Sequence, residues 1–277
     1  MRKSLLLLLP ALTVALVVVL LCYMRWVERE NLELTQHCVA MEQWQEGDSV
    51  KIAVLTDIHA RPVDGAYLDA VVRHALEGKP DAVLLPGDFM NGHHAEEAMP
   101  PEELAEHLRP LAALPCFAVL GNHDYYHGAE RVKLALQSIG VQFVEGRRAE
   151  LRVGDAVIDI GGIRCCYTYD TPGPVPQARA GVPLLMLSHT PVGAQYAPEE
   201  AVLTLAGHSH GGQVCWPTGK PIWMADGKTP AEWAAGLVHV HGRPCYVCRG
   251  IGTSSLPIRF FCPPELLFLR LEGAQRK

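Results

Sequence analysis

Phe117-Ala118-Val119-Leu120-Gly121-Asn122-His123-Asp124 is an apolar run that stops at a glycine and three polar side chains. The same figure recurs four times. Ile52–Leu55 leads to Asp57-Ile58-His59, Ala82–Leu85 to Gly87-Asp88, Pro183–Leu187 to Ser188-His189, and Ala201–Leu205 to Gly207-His208-Ser209-His210. Short runs without a polar face predict parallel strands buried on both sides. The carboxyl ends of such strands open on one crevice, where α/β sheets bind ligands. Asp57, His59, Asp88, Asn122, His189, His208 and His210 would meet there. Their oxygen and imidazole donors suit a pair of divalent cations.

Spacing and charge sharpen that reading. On a helix, His208 and His210 would point apart. On a tight loop after Gly207 they reach neighbouring ions, and Asp57-Ile58-His59 repeats the spacing. Two divalent cations bring four positive charges, of which Asp57 and Asp88 cancel two. The remainder attracts a phosphoryl dianion, or a phosphodiester with a hydroxide. One central carboxylate can bridge ions roughly 3.5–4 Å apart, and a water between them becomes hydroxide near neutral pH.

Between these blocks, apolar spacing predicts helices over Tyr67–Leu76, Glu102–Leu114 and Ala129–Ile139. From Val141 the elements are short strands, with Gly154-Asp155 as a hairpin turn and a Pro/Gly-rich loop over Pro172–Pro183. Further strands are expected over Gln213–Trp216, Leu237–Val240, Cys245–Val247 and Leu266–Leu271. This order predicts a two-sheet β-sandwich flanked by helices, a layered α/β domain over residues 49–277.

The first residues differ. Ser4–Met24 has no charged side chain and is long enough to cross about 30 Å of hydrocarbon as a helix. The apolar stretch is too long for a signal peptide and no small-x-small site follows, so residues 1–25 read as an uncleaved transmembrane anchor. Leu21-Cys22 lacks the small residue that should precede a lipoprotein cysteine. Arg2 and Lys3 on one side and Arg25 and Arg29 on the other leave the side of the membrane undecided. Residues 26–48 are expected to form a stalk, with Trp26–Leu34 extending the helix, and an edge strand near Cys38–Gln45.

A net charge of −6 argues against nucleic acid as the main partner. Nine cysteines with a single CxxC (Cys245, Cys248) do not make a zinc knuckle. They read as small buried hydrophobes, or as one disulfide if the domain is exported.

In order, the blocks DxH, GD, GNHD, H and GHxH resemble the calcineurin-like metallophosphoesterase superfamily, and Gly207–Gln213 and Gly250–Phe261 resemble its membrane-anchored or exported bacterial branch. The resemblance implies that Asp57, His59 and His210 hold one metal, that Asn122, His189 and His208 hold the other, and that Asp88 bridges them. It implies that His123 hydrogen-bonds substrate and protonates the leaving oxygen, while Asp124 orients His123 or braces its loop. The expected reaction is hydrolysis of a phosphodiester or pyrophosphate bond by a metal-bridging hydroxide, on a membrane-associated or lipid-linked substrate. Manganese is expected, with iron or zinc as alternatives. A phosphomonoesterase or phosphoprotein phosphatase is the alternative reaction, and a non-catalytic scaffold the alternative class.

Some residues carry looser expectations. His93 and His94 stand near the site mouth. Asn91 is a candidate to hydrogen-bond the Asp88 block. Trp216–Trp233 is either an irregular loop with aromatics on the core or an apolar lip touching a bilayer or acyl chain. Arg259 is read as a surface ion pair or a phosphate contact.

Overall fold

The computed structural model describes residues 2–169 and 171–274, with side chains from Pro10 onward. The Arg2 and Lys3 side chains of the charge comparison lie outside the described residues.

The chain leaves α1 (Arg2–Cys22) through a π turn (Tyr23–Val27) and a 3-10 turn (Glu28–Glu30), then enters β1 (Glu33–Met41). β2 (Ser49–Val54), β3 (Ala82–Leu85), β4 (Cys116–Ala118) and β5 (Gln142–Phe143) follow. Among them lie α2 (Gly65–Glu77), α3 (Pro101–Leu108), α4 (Asn122–Tyr126) and α5 (Ala129–Gln137). The second half is nearly all strand: β6 (Arg148–Val153), β7 (Ala156–Ile163), β8 (Leu184–Ser188), β9 (Ala201–Ala206), β10 (Gly236–Val240), β11 (Arg243–Val247) and β12 (Glu265–Gly273).

Two six-stranded sheets form, in the orders β1-β12-β2-β3-β4-β5 and β10-β11-β9-β8-β7-β6. β2 through β5 run parallel, as do β7, β8, β9 and β11. Alternation along each strand divides its side chains between two cores. Ile52, Val54, Leu84 and Phe117 meet Ile158, Ile160, Leu185, Leu187, Leu203 and Leu205 between the sheets. Ala53, Leu55, Val83 and Leu85 face the helices instead. On α2, Leu68, Val71, Val72 and Ala75 form one buried stripe at i, i+3, i+4 and i+7, and the helix stops at Gly78. Leu84 is fully buried in a strand that ends at Gly87-Asp88, so Leu84→Ala would cost about 2–5 kcal/mol and loosen the site together with the core. On the outer face of the second sheet the flanking element is a 3-10 segment, Pro191–Tyr196.

Several expected boundaries move. The edge strand occupies Glu33–Met41, because β12 offers it nine parallel partners, Glu33↔Glu265 to Met41↔Gly273. The segment after α1 is therefore part of the first sheet, and the stalk is reduced to two turns. The helix expected over Glu102–Leu114 stops at Leu108, since Pro110 cannot continue it; a 3-10 turn covers Leu111–Ala113. Gln213–Trp216 is not a strand: Val214 and Cys215 make only isolated bridges, to Phe260 and Pro221. All nine cysteines are free thiols, and Cys116, Cys165, Cys215, Cys245, Cys248 and Cys262 are buried.

Candidate metal centre

The carboxyl ends of β2, β3 and β4 in one sheet and β8 and β9 in the other turn toward a common point. Backbone bonds stitch the turns together: Asp57 N–H donates to Gly87 O (2.9 Å), His59 N–H to Asp88 O (3.1 Å) and Gly207 N–H to His189 O (2.9 Å). Glycine permits this crowding. A Cβ at Gly121 would run into the backbone nitrogen and carboxylate of Asp88, and one at Gly207 into Asp57 Oδ2 and Thr56.

Five of the seven expected ligands hold left-handed backbone: Asp57 (φ 51°), His59 (43°), Asp88 (54°), His208 (71°) and His210 (51°). Such conformations cost about 1–3 kcal/mol each in non-glycine residues and persist where the surroundings dictate them. Here they turn both members of each D-x-H or H-x-H pair into the crevice.

All seven side chains come together, and all but His208, which is partly exposed, are buried. Asp88 Oδ2 lies 3.4 Å from His59 Nε2 and 3.1 Å from His189 Nε2. On one side, His210 Nε2 is 3.0 Å from His59 Nε2 and 3.7 Å from Asp57 Oδ1. On the other, His189 Nε2 is 3.2 Å from both Asn122 Oδ1 and His208 Nδ1. Two clusters of donor atoms, Asp57–His59–His210 and Asp88–His189–His208, thus adjoin at the Asp88 carboxylate.

The proton inventory shows what such clusters lack. His189 Nδ1 is 3.0 Å from Pro86 O, a group that only accepts, so Nδ1 carries the proton and Nε2 is bare in the neutral ring. His208 Nε2 faces the Asp226 carboxylate at 3.1 Å, which leaves Nδ1 bare. With neutral rings, two imidazole lone pairs, the Asn122 carbonyl oxygen and the Asp88 carboxylate face one another; without a cation, a proton on His189 Nε2 takes that place beside Asp88. In the other cluster, buried Asp57 Oδ2 has no hydrogen-bond partner. Lone pairs gathered without donors fit a cation at each cluster.

The titration behaviour points the same way. Burial pushes the Asp57 carboxyl up to about 7, the His59 ring down to about 4 and the His210 ring well below its usual range. Burial works against charge at Asp88 and His189 as well, but their mutual attraction outweighs it: Asp88 is held well below, and His189 well above, the ordinary range. Positive charge is favoured at the centre of the pocket, next to Asp88.

His123 stands beside the seven, its ring forming a third donor cluster with His59 and Asp88. Its N–H donates to Asp88 Oδ1 (2.8 Å), and its ring stands edge-on to His59 at 4.7 Å between centroids. Nδ1 contacts Gly92 O at 2.8 Å and so carries the proton of the neutral ring, with Nε2 bare. The expectation that Asp124 orients this ring is corrected. The Asp124 carboxylate accepts from the backbone N–H groups of Asp88, Phe89, Met90 and Gly121, at 2.8–3.1 Å, and braces the two loops. Burial pushes its carboxyl up to about 8.

Other expectations change as well. Asn91 donates to Glu97 O, away from the Asp88 block. His93 lines the cavity and packs 5.2 Å from His123, whereas the His94 N–H belongs to an exposed turn closed by Glu97. Arg259 is neither a surface ion pair nor a phosphate contact. Fully buried, it donates to the carbonyls of Arg249, Gly250, Gly252 and Cys262, tying the Gly250–Cys262 loop to the end of β11. Asp226 escaped the sequence reading because nothing in the irregular loop around it signals a partner for His208. Tyr126 and Tyr167, which also line the cavity of about 410 Å³, were missed for the same reason.

A calcineurin-like phosphoesterase family model matches residues 50–224, and those residues contain all seven expected ligands and His123. The chain belongs to the calcineurin-like phosphoesterase family. It is 30% identical to the phosphodiesterase YaeI of Escherichia coli (strain K12) over 256 residues, 90% of this chain and 92% of that one. An uncharacterized metallophosphoesterase of Aquifex aeolicus (strain VF5) is 28% identical over 254 residues, 89% of this chain and 94% of its own. A 5'-nucleotidase precursor from Thermus thermophilus aligns with a TM-score of 0.48 and 16% identity, over 82% of this chain and 55% of that one. This calcineurin-like phosphoesterase is thus a phosphoester hydrolase, of a family that works with paired divalent metals.

Proposed function

We propose that this hydrolase cleaves a phosphodiester or pyrophosphate bond of a membrane-associated, lipid-linked substrate, with two manganese ions, while α1 anchors it in the bilayer. The observation that carries the reading is Asp88 Oδ2, poised between His59 Nε2 and His189 Nε2. Asp57, His59 and His210 would hold one cation and Asn122, His189 and His208 the other, with Asp88 shared. Such a pair, when bound, supplies an activated water and neutralises charge at phosphorus.

The chain's own groups do the rest. Pro86 O and Asp226 fix the tautomers of His189 and His208, so that their bare nitrogens face inward. Gly92 O accepts from Nδ1–H of the His123 ring, and in the doubly protonated ring Nε2–H would donate its proton to the leaving oxygen. Asp124 keeps the Asp88 and Asn122 turns in register. Anchoring is supported by an apolar helix long enough to cross a membrane, with only 6% of its most apolar window buried.

Turnover of bis-p-nitrophenyl phosphate and p-nitrophenyl phosphate, with and without manganese, tests the reading. Manganese-dependent preference for the diester is expected. Preference for the monoester would point to a phosphomonoesterase, and no turnover with any divalent metal to a scaffold.

A further inference from the structure

We infer that the apolar rim of the metal cavity seats a hydrocarbon tail attached to the substrate's phosphoryl group, and that this seat opens onto the bilayer at the end of α1. The inference rests on the hydrolase reading and specifies its substrate.

Ile222, Trp223 and Leu256 are 51%, 64% and 60% exposed, yet they line the same cavity as Asp88, Asn122 and His208. Val214, Met224 and Ile258 continue the apolar wall inward. Contiguous exposed apolar surface of this kind is uncommon on soluble domains and marks a site of binding. The lining is mostly apolar, with Ser254 and Ser255 beside Leu256. Gln213 is spent on its neighbours: Oε1 accepts from Ser254 N–H (2.6 Å) and Nε2 donates to Leu256 O (3.1 Å). A tail is therefore favoured there over a sugar or a nucleobase, either of which would leave hydroxyl or amide groups unpaired.

Backbone hydrogen bonds lead from this wall to the anchor. Ile222 N–H donates to Val214 O (2.9 Å), Cys215 N–H to Phe260 O (2.8 Å), and Arg259 N–H to Met24 O (3.1 Å) in the turn that ends α1. Glu28 Oε1 accepts from Cys262 N–H at 2.8 Å and fastens the 3-10 turn that follows. Trp26 and Val27 are exposed in the turn that ends α1. Continuity with a helix able to span hydrocarbon identifies the occupant: the tail of a molecule resident in the same bilayer.

The test uses the full chain in phosphatidylcholine vesicles with manganese, and a series of n-alkyl p-nitrophenyl phosphates of increasing tail length. KM is expected to fall by about fourfold per methylene until the seat is filled. Partitioning into the vesicle produces its own gradient, so the I222S/W223S variant in the same vesicles is the reference, and its gradient is expected to be shallower. In parallel, an alkyl phosphate with a diazirine at the tail is photolysed on the native protein. Label is expected in residues 222–224 and 256–258. Equal gradients in the two proteins, or label confined to α1, would overturn the inference and leave the hydrolase reading intact. If no diester were turned over, that reading would fail, while the labelling pattern would still decide where the tail sits.

Discussion

Asp226 accepts a hydrogen bond from His208 Nε2–H across 3.1 Å, from a loop 18 residues further along the chain. The carboxylate is itself fixed by Thr229, through both its N–H (3.1 Å) and its hydroxyl (2.5 Å). A partner of this kind sets the tautomer and aim of a metal-binding imidazole, and its loss typically costs 10–100-fold in metal affinity or activity. Asp226→Asn is accordingly expected to weaken manganese binding about tenfold or more, as read by electron paramagnetic resonance titration, with the circular dichroism spectrum unchanged. Undiminished affinity would remove Asp226 from the site.

His123→Ala is expected to retain its metal and lose at least about a hundredfold in turnover, the usual scale for a lost general acid. The loss should grow as the leaving group becomes more basic, because p-nitrophenolate departs without a proton and an alkoxide does not. Equal losses for both leaving groups would mean that His123 only positions the phosphate.

Removing the cations should also destabilise the fold, since Asp57 and Asp88 are buried near one another and Asp57 Oδ2 has no hydrogen-bond partner. A ligand at 100 times its Kd stabilises by about 2.7 kcal/mol. Dialysis against EDTA should lower Tm by several degrees, and manganese should restore it. In Asp88→Ala the metal content, measured by plasma mass spectrometry, should fall below that of the native protein, and its Tm should no longer respond to EDTA. A native protein whose Tm ignores both treatments would contradict the centre described above.

Arg259→Leu should behave as a folding variant. It would strip hydrogen bonds from the buried carbonyls of Gly252 and Cys262 and from that of Arg249, with about 1–3 kcal/mol lost for each buried group left unpaired. Urea denaturation is expected to show a loss of about 3 kcal/mol or more. A variant of native stability with a raised KM would restore Arg259 as a phosphate contact.

The strands, and the meeting of their ends, were legible because strands buried on both faces leave unbroken apolar runs, as in Ala82–Leu85 and Ala201–Leu205. The turns after them were legible because glycine must stand where backbones nearly touch, as at Gly121 and Gly207. Asp124 shows where such reading stops: its position beside His123 in sequence says nothing of four backbone N–H groups, three of them more than thirty residues away. Arg259 and Asp226 fail for the same reason, each having a role set by loops whose paths follow from tertiary contacts. Nor does any local pattern reveal that β1 starts at Glu33, since its partner β12 lies at the other end of the chain.

The left-handed backbone at Asp57, His59, Asp88, His208 and His210 has a bearing on how such an enzyme changes over evolutionary time. Aspartate and histidine are among the few side chains that both coordinate ions and tolerate that conformation. Exchange at these five positions disturbs the main chain along with the donor set. Asn122 and His189 carry no such restriction, which makes them the two places where selection, or an engineer, can alter ion preference without rebuilding the loops.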